Sequence, residues 1–218
     1  MTRQSPIKNK NLDEIKPNSS QLESTNQRDR KHLLKDFINL KKQLENMGRE
    51  LAFLSIDVVD STGMKEGEDP YTVAYTFNEY RNFVETRINA NGCIKSTWTP
   101  DGLMACFSKL DDAIKSSQIL LKDLVDFNKE VKSIKRDFMI RCGINTGRLF
   151  FDDSLPLEQI TDRVIDIASH MQKHAEPNTI YIAKQVIKPM DYIKGFVKTS
   201  VDIDGLNVYR WDDKKEGK

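Results

Sequence analysis

The stretch LAFLSID, residues 51–57, is a short run of large apolar side chains that ends in an acid. The segment after it, VVDSTGMK (58–65), consists mostly of small and polar residues. A short apolar run bounded by turn residues is typical of a buried β-strand. We therefore predict a buried strand over 51–57 that presents the carboxylate of Asp57 at its end.

Beyond this strand the sequence alternates between helical and extended patterns. Apolar residues at helical spacing predict three helices, over 70–90 with Pro70 in its first turn, over 109–131 and over 157–175. Extended patterns predict strands over 93–99, 102–108, 137–145 (ending in a turn at Thr146-Gly147), 179–183 and 207–211. Only Pro100 and Asp101 separate the first two of these strands, which predicts a hairpin with Asp101 at its tip.

The order strand–helix–strand–strand–helix–strand is that of the split βαβ, or ferredoxin-like, arrangement. This predicts an α+β fold (βαββαβ) whose sheet is mainly antiparallel, with helices on one face. The first strand and the second strand of the hairpin are usually neighbours in such a sheet. We therefore expect Asp57 and Asp101 to lie side by side.

Composition limits the possible classes of protein. The chain has 218 residues, of which 38% are hydrophobic, and 34 Lys and Arg against 33 Asp and Glu. This suits one domain with an extension, and the near-zero charge argues against a nucleic-acid-binding protein. No apolar run is long enough for a membrane span, and the start lacks the apolar core of a signal peptide. Together with three widely spaced cysteines (Cys93, Cys106 and Cys142), this predicts a cytoplasmic protein.

The first 50 residues differ from the rest in charge, with 11 basic and 7 acidic residues against 23 and 26 in the remainder. Residues 1–27 are polar and predict a flexible tail. Residues 28–48 predict an amphipathic helix that stops at Gly48, and residues 49–213 the main domain. This helix either caps the core of the domain or pairs with a second subunit. Its apolar residues are Leu33, Leu34, Phe37, Ile38, Leu40 and Leu44.

Two acids at adjacent strand ends form a plausible site for divalent cations, since Mg²⁺ and Mn²⁺ prefer carboxylate and carbonyl oxygens. The turn that follows Asp57 can direct backbone N–H groups at phosphate oxygens. Taken alone, neither acid requires a metal. Asp57 is explained as a polar residue at a strand end, and Asp101 as an ordinary turn residue. Their joint position in this fold order favours the metal site.

Four segments in the same order resemble the catalytic domain of class III nucleotidyl cyclases, over about residues 50–211. FLSIDVVDST (53–62) resembles the first metal motif, roughly F-x-D-I-x-G-[FS]-T, and STWTPDGLMACF (96–107) the second. IRCGINTGRL (140–149) is similar to the strand R-x-G-[IV]-H-T-G. VIDIASHMQKHAEPNTIYIA (164–183) is similar to the helix V-N-x-A-[AS]-R-[LM] and the strand after it.

The resemblance implies a reaction and a set of residues. The ribose 3′-hydroxyl of a nucleoside triphosphate attacks its own α-phosphate, and pyrophosphate leaves. Asp57, Asp101 and the Val58 carbonyl would bind two divalent ions, Mn²⁺ or Mg²⁺. The active site would be shared between the subunits of a head-to-tail homodimer. The backbone that would hold the triphosphate comprises Val59, Asp60, Ser61 and Thr62.

The residues that resemble the family's base-selecting and ribose-binding groups depart from its pattern. Thr97 stands where purine-specific members have Lys or Glu, and Gln159 where they have an acid or Cys. Trp98, beside Thr97, either narrows the base pocket or fills the core, and a strand aromatic favours the core.

The helix Asn that orients the ribose is Asp166 here, and the transition-state Arg is His170. Arg163, three residues before Asp166, lies on about the same helix face and could supply the cation. Asp166, His170 and His174 also share one helical stripe, which admits a zinc site, although a solvated face is the simpler interpretation.

These departures leave three hypotheses. The first is a pyrimidine cyclase acting on UTP or CTP, similar to the Pycsar cyclases of bacterial antiviral defence, whose cyclic product acts on a downstream effector. The second is a catalytically inactive domain that binds a nucleotide or a partner. The third is a purine cyclase with unusual selector residues. Retention of both metal acids favours the first.

Overall fold

The computed structural model describes residues 19–187 and 195–211, with side chains from residue 29 onward. The chain divides into two compact units, Met1–Asn46 and Met47–Lys218. Residues 1–18 of the predicted tail lie outside the described residues, as do residues 212–213 at the predicted domain end.

The first unit contains one long helix, α1 (Ser19–Met47). It begins nine residues before the predicted start at 28, so residues 19–27, which the sequence assigned to a flexible tail, are helical. This stretch lacks an apolar stripe, but a helix that has nucleated further along extends cheaply through residues such as Gln and Glu.

The second unit alternates strands and helices in the predicted order. Its elements are β1 (Arg49–Val58), α2 (Pro70–Ala90), β2 (Cys93–Trp98), β3 (Gly102–Phe107), α3 (Leu110–Glu130), β4 (Ile140–Leu149), α4 (Arg163–His174), β5 (Thr179–Ala183), α5 (Lys184–Ile187), β6 (Phe196–Ile203) and β7 (Leu206–Trp211). Short 3₁₀ turns occur at Gly63–Lys65 and Leu157–Gln159. Pro70 is the first residue of α2, and the Asp69 carboxylate caps this helix by accepting from the Thr72 N–H, which lowers the pKa of Asp69.

The described strands form one seven-stranded sheet in the order β2-β3-β1-β4-β5-β7-β6. Only β4 and β5 run parallel, and the other neighbours are antiparallel. β1 lies between β3 and β4, which places the end of the first strand beside the hairpin tip. The predicted α+β, mainly antiparallel fold is confirmed.

Helices α2 and α3 pack on one face of the sheet, where side chains such as Leu54 and Ile56 of β1 meet Val84 and Leu120 of the helices in the main core. Helix α4 crosses the opposite face. A Cβ on Gly143 of β4 would lie 2.0 Å from the backbone nitrogen of Gln172, so only glycine allows α4 to approach this strand so closely. On this second face α4 therefore covers β4. The end of β1 and the start of β3 lie on the neighbouring strands.

Two local predictions for the second unit differ from the structure. β4 does not turn at Thr146-Gly147 but runs on to Leu149, because its pairing with β1 continues to the end of both strands. The helix predicted over 157–175 begins only at Arg163, because the Asp162 carboxylate accepts from the Val164 N–H and caps it there.

The strand β6 was not predicted. Its hairpin with β7 turns at Asp204-Gly205, where both residues have a positive φ, of 54° and 76°. Asp-Gly is a preferred dipeptide for such a turn, so the signal for this hairpin was present in the sequence.

Candidate active site

The two acids predicted to bind metal lie at the same edge of the sheet. Asp57 is the last residue but one of β1 and is in register with Gly102 at the start of β3. Asp101 directly precedes Gly102, and its carbonyl oxygen accepts from the Val58 N–H at 3.2 Å. This backbone hydrogen bond fixes the ends of the two strands together, so the two acids are neighbours although 44 residues separate them in the sequence.

Among the described residues, each carboxylate accepts a hydrogen bond from one side chain. Arg141 of β4 donates from Nη2 to Asp57 Oδ2 at 2.5 Å, and Ser61 Oγ donates to Asp101 Oδ2 at 2.5 Å. The side chains of Arg141 and Asp57 are both partly buried, and Arg141 Nε is buried without a hydrogen-bond partner among the described residues. Sequence reasoning gave Arg141 no role, although β4 and β1 are neighbours in the predicted fold and the residue lies in a recognised motif.

Tyr80 of α2 shows that the two carboxylates act on the same part of the core. Its hydroxyl is buried and has no hydrogen-bond partner among the described residues. Burial is the main cause that raises the pKa of Tyr80 well above its usual range, and the carboxylates of Asp57 and Asp101 add smaller contributions.

The turn after β1 is held in a fixed shape by Asp60. This residue has φ of 50°, and its Oδ1 accepts from the Gly63 N–H at 3.2 Å. Arg136 lies 2.8 Å from Asp60 Oδ2 as an ion pair. A Cβ on Gly63 would lie 2.5 Å from Asp60 Oδ2 and 2.6 Å from Arg136 Nη1, so a larger residue there would displace the ends of these two half-exposed side chains. In the cyclase motif, glycine occupies the position of Asp60, which fits the positive φ.

The same turn has backbone N–H groups available to a ligand. The Val59 N–H donates to the Met139 carbonyl oxygen at 2.8 Å and is therefore occupied. The N–H groups of Asp60, Ser61 and Thr62 donate to no acceptor within the described part of the chain. Successive N–H groups of this kind form a concave anion-binding surface.

The two predicted base-selecting residues lie on neighbouring elements. Thr97 of β2 is in register with Met104 of β3, and Met104 is in register with Ser55 of β1, so Thr97 shares the face that carries Asp57. Gln159 is exposed at the end of the 3₁₀ turn that packs against β2.

Trp98 points away from this face. Its ring packs edge-on against Tyr80, with centroids 6.3 Å apart, and its indole N–H donates to Glu85 Oε1 at 2.7 Å. The sequence-based preference for a core position of Trp98 is confirmed, so Trp98 does not narrow the face that holds Thr97.

The predicted ribose and transition-state residues lie on α4 and bond elsewhere. Asp166 and His170 are exposed, and His170 Nδ1 lies 2.6 Å from Asp204 Oδ2 in the turn between β6 and β7. The cation that contacts Asp57 is Arg141 rather than His170. Within one chain, α4 therefore presents Asp166 and His170 outward, away from the contacts of the two metal acids.

Arg163, the predicted substitute cation, lines a cavity of about 430 Å³ with Ile167, Val186 and Leu206. Asp166 is not among the residues that line this cavity. The sequence suggested that Arg163 and Asp166 share one helix face. In the structure the two residues do not line the same cavity.

The oxygen atoms at the sheet edge are too few to surround a metal ion completely. They suit a cation whose remaining ligands are oxygen atoms of the substrate. In the described part of the chain, no three His, Cys, Asp or Glu side chains are arranged to hold a metal, which also removes the zinc alternative at Asp166, His170 and His174. Asp57, Asp101 and the Val58 carbonyl would supply hard oxygen ligands, and the adjoining turn would supply N–H groups for a phosphate. This combination fits Mg²⁺ or Mn²⁺ bound together with a polyphosphate.

Comparison with known proteins identifies the family of the chain. The family model described as the adenylate and guanylate cyclase catalytic domain matches residues 46–208. No sequence among the curated proteins matches the chain.

Solved structures share the fold. The adenylyl cyclase CyaB from P. aeruginosa is 18% identical with a TM-score of 0.67, covering 76% of this chain and 95% of its own. The guanylate cyclase domain of RhGC from Catenaria anguillulae in complex with GTP is 13% identical with a TM-score of 0.64, covering 75% and 96%. An adenylate/guanylate cyclase/hydrolase from Silicibacter pomeroyi is 19% identical with a TM-score of 0.62, covering 76% and 98%.

The fold and the matched residues define the class of protein as a nucleotide cyclase catalytic domain. The chain belongs to the adenylate and guanylate cyclase catalytic domain family. None of the helices in the described residues has the length and apolar character needed to cross a membrane.

Proposed function

We propose that this chain is an active nucleotide cyclase that converts UTP or CTP to the 3′,5′-cyclic monophosphate and pyrophosphate. The observation that carries the proposal is the convergence of Asp57 and Asp101 at one sheet edge, next to a turn with unbonded N–H groups. A domain that only binds a partner has no physical need for two neighbouring carboxylates whose charges repel each other.

In this proposal Asp57, Asp101 and the Val58 carbonyl hold two divalent ions, which class III cyclases generally take as Mg²⁺ or Mn²⁺. When bound, these ions lower the pKa of the ribose 3′-hydroxyl and neutralise the triphosphate. The chain's own contribution is positioning: the N–H groups of Asp60, Ser61 and Thr62 orient the phosphate oxygens. The 3′-hydroxyl gives its proton to solvent water, and its oxygen forms a bond to the α-phosphorus as the bond from the α-phosphorus to the bridging β-phosphate oxygen breaks and pyrophosphate leaves.

Arg141 supplies a cation at this point. It pairs with Asp57 through Nη2, its Nη1 donates to the Lys173 carbonyl oxygen at 3.3 Å, and its Nε is buried. If metal ions held at Asp57 offset the charge of this carboxylate, the Nη2 group of Arg141 could also donate to a triphosphate oxygen.

The choice of a pyrimidine rests on Thr97 and Gln159. Neither side chain carries the charge with which purine-specific members contact the base, yet both offer donors and acceptors to a base edge. Since Trp98 faces the core, the preference for a pyrimidine follows from hydrogen-bonding groups rather than from a narrowed pocket.

The position of α4 supports a site shared between two subunits. Asp166 and His170 point outward in one chain, and a head-to-tail homodimer would bring these residues of one subunit to the metal acids of the other. The enzyme would act in the cytoplasm. By its resemblance to the Pycsar cyclases, it would serve as the source of a signal in bacterial antiviral defence that a downstream effector reads.

Two other functions remain as outcomes of the test. His170 in place of the family Arg, together with the neutralised Asp57, favours a catalytically inactive domain that binds a nucleotide or a partner. The third reading is an adenylate or guanylate cyclase with altered selectors.

The purified protein is incubated with Mn²⁺ and each of the four ribonucleoside triphosphates, and the products are separated by chromatography. We expect one pyrimidine triphosphate to yield a cyclic monophosphate and pyrophosphate in equal amounts. A cyclic product from ATP or GTP alone would refute the pyrimidine assignment. A melting temperature raised by one triphosphate, without any cyclic product, would establish the inactive binding domain.

A further inference from the structure

The two acids at the sheet edge differ in how the backbone around each is held. Asp57 belongs to β1, which pairs with β3 on one side and with β4 on the other. Asp101 lies in the turn between β2 and β3, and β2 is the outermost strand of the described sheet. A turn at the edge of a sheet opens more readily than a central strand, because fewer backbone hydrogen bonds hold it. The position of Asp101 therefore depends strongly on contacts that reach this turn from outside the sheet.

An arginine of α2 makes such a contact. Arg81 Nη2 donates to the carbonyl oxygen of Pro100 at 3.3 Å. This oxygen belongs to the peptide unit that joins Pro100 to Asp101, and because a peptide unit is planar, the hydrogen bond restrains the direction in which the chain enters Asp101. The other hydrogen bonds of the turn join Thr99 to Gly102, from N–H to carbonyl oxygen and from the Gly102 N–H to Thr99 Oγ1, both at 2.9 Å.

The side chain of Trp98 keeps Arg81 in this position. Arg81 Cζ lies over the Trp98 ring, 5.4 Å from its centroid, which is within the range of a cation–π contact. The ring is itself fixed, because its N–H donates to Glu85 Oε1 and its edge packs against Tyr80. A guanidinium that rests on a fixed ring loses less freedom when it forms a hydrogen bond. Helix α2 thus contacts both the last residue of β2 and the turn that follows it.

We propose that Arg81 is a positioning residue for the cyclase reaction, which holds the peptide between Pro100 and Asp101 so that the Asp101 carboxylate stays in place for a divalent cation. This inference rests on the proposed function in taking Asp101 as a metal ligand. Residues that support a metal ligand fix its orientation, and their loss typically weakens metal binding by about 10-fold to 100-fold. Arg81 acts through the backbone of Asp101 and needs no contact with the metal or the substrate.

The sign of the change in metal affinity separates this role from an effect of charge. Arg81 is a cation next to the turn that carries Asp101, so by charge alone its removal would strengthen the binding of a metal cation. If Arg81 instead holds Asp101 in place, its removal weakens that binding. The variant Arg81→Ala therefore gives opposite results under the two roles.

Metal binding is measured on the full chain by titration with Mn²⁺ alone, with the free ion followed by electron paramagnetic resonance. We expect Arg81→Ala to raise the dissociation constant of Mn²⁺ about tenfold. Arg81→Lys keeps a donor and a cation over Trp98, and should stay within about threefold of wild type. Turnover of Arg81→Ala should recover at high Mn²⁺ concentration, which a loss of folded protein would not allow.

Arg87→Ala is the matched control on the same helix. Arg87 also lies over an aromatic ring, with its Cζ 3.8 Å from the centroid of Phe83. Its ion-pair partner is Asp123 of α3, so it does not hold the turn before β3. Arg87→Ala should leave the dissociation constant of Mn²⁺ unchanged.

Amide hydrogen exchange of the same variants tests the contact without any metal. The Val58 N–H donates to the Asp101 carbonyl oxygen and the Thr99 N–H to that of Gly102, so both amides report opening of the turn. We expect both to exchange at least about tenfold faster in Arg81→Ala. In Arg87→Ala they should exchange at the wild-type rate.

The proposal fails if Arg81→Ala leaves the exchange of these amides unchanged, or if it binds Mn²⁺ as tightly as wild type or more tightly. Equal effects of Arg87→Ala would also refute it, because they would show a general loosening of α2. A wild type that binds no Mn²⁺, together with faster exchange in Arg81→Ala, would instead overturn the metal role of Asp101 in the proposed function while retaining the hold of Arg81 on the turn.

Discussion

The edge of the sheet around Asp57 and the exposed face of α4 differ in how much of their geometry one chain provides. At the sheet edge, Asp57, Asp101 and Asp60 each have a partner inside the chain, namely Arg141, Ser61 and Arg136. On α4, Asp166 is exposed and His170 pairs with Asp204 at a hairpin turn. The acids at the sheet edge are thus each held by a side chain of the same domain, whereas the predicted ribose residues on α4 lie at the surface.

Removal of a metal acid should have the largest effect. We expect Asp57→Asn to lower turnover at least about 1,000-fold, because the amide cannot replace a carboxylate as a metal ligand. The melting temperature should stay near that of wild type, since the amide oxygen still accepts from Arg141. Pyrophosphate release and thermal unfolding measure the two quantities. Asp126→Asn, an exposed acid on α3, is the matched control. Retention of a tenth of the activity would remove Asp57 from the metal site.

The ion pair between Arg136 and Asp60 in the turn after β1 provides a second test, of whether the proposed triphosphate-binding turn depends on this contact. Without Arg136 the carboxylate of Asp60 repels a triphosphate, so Arg136→Ala should raise KM about tenfold with a smaller change in kcat. Asp60→Gly should cancel most of this effect in the double variant, because it removes the repelling charge and glycine tolerates the positive φ.

The pair Arg87 and Asp123, also at 2.8 Å but between α2 and α3, provides the control for loss of an ion pair. Arg87→Ala should leave KM unchanged. Equal effects of Arg136→Ala and Arg87→Ala on KM would mean that the phosphate turn has no special dependence on its counter-ion.

The two predicted base-selecting residues, Thr97 and Gln159, lie on β2 and at the end of the 3₁₀ turn that packs against β2. Thr97→Lys combined with Gln159→Asp introduces the charged groups that purine-specific members use at these positions. The ratio of kcat/KM for ATP to that for the best pyrimidine triphosphate should rise at least about tenfold. Ser96→Lys adds the same charge one residue earlier, on the other face of β2, and should not change the ratio. An unchanged ratio in the double variant would place base selection elsewhere.

The smallest effect is expected on α4. If α4 of one subunit reaches the metal acids of another, His170→Arg should raise kcat by about threefold to tenfold, because a permanent cation then faces the transition state. His170→Ala should lower it. His174→Arg, exposed one turn later, is the control for an added charge. Identical kcat for all three variants and wild type would show that this face of α4 takes no part in the reaction.

The sequence predicted the sheet edge better than the α4 face, for a physical reason. Strand order follows from local patterns and from the few arrangements that such an order of elements can form, so the neighbourhood of Asp57 and Asp101 was predictable. The start of α4 at Arg163 was missed because apolar spacing continues through 157–162, although Asp162 marks the helix cap.

Sequence reasoning did not predict the contacts of several residues near the site. For some of them the sequence contained a recognisable pattern, and for others it did not. Asp204 lies in an Asp-Gly turn, and Arg141 lies in a strand predicted beside β1. The contact of Arg136 with Asp60 had no signal, since it joins a turn to a loop 76 residues later with no regular spacing between them.

The sequence by itself determined the order of strands and helices, the class of fold and the adjacency of the two metal acids, because these depend on periodic burial and on strand pairing. Only the tertiary structure decided which cations meet the carboxylates, which N–H groups the phosphate turn leaves unbonded, and that Asp166 and His170 face outward. Those features depend on side-chain contacts across 34 to 84 residues of chain, whose geometry is set by the packing of the whole sheet.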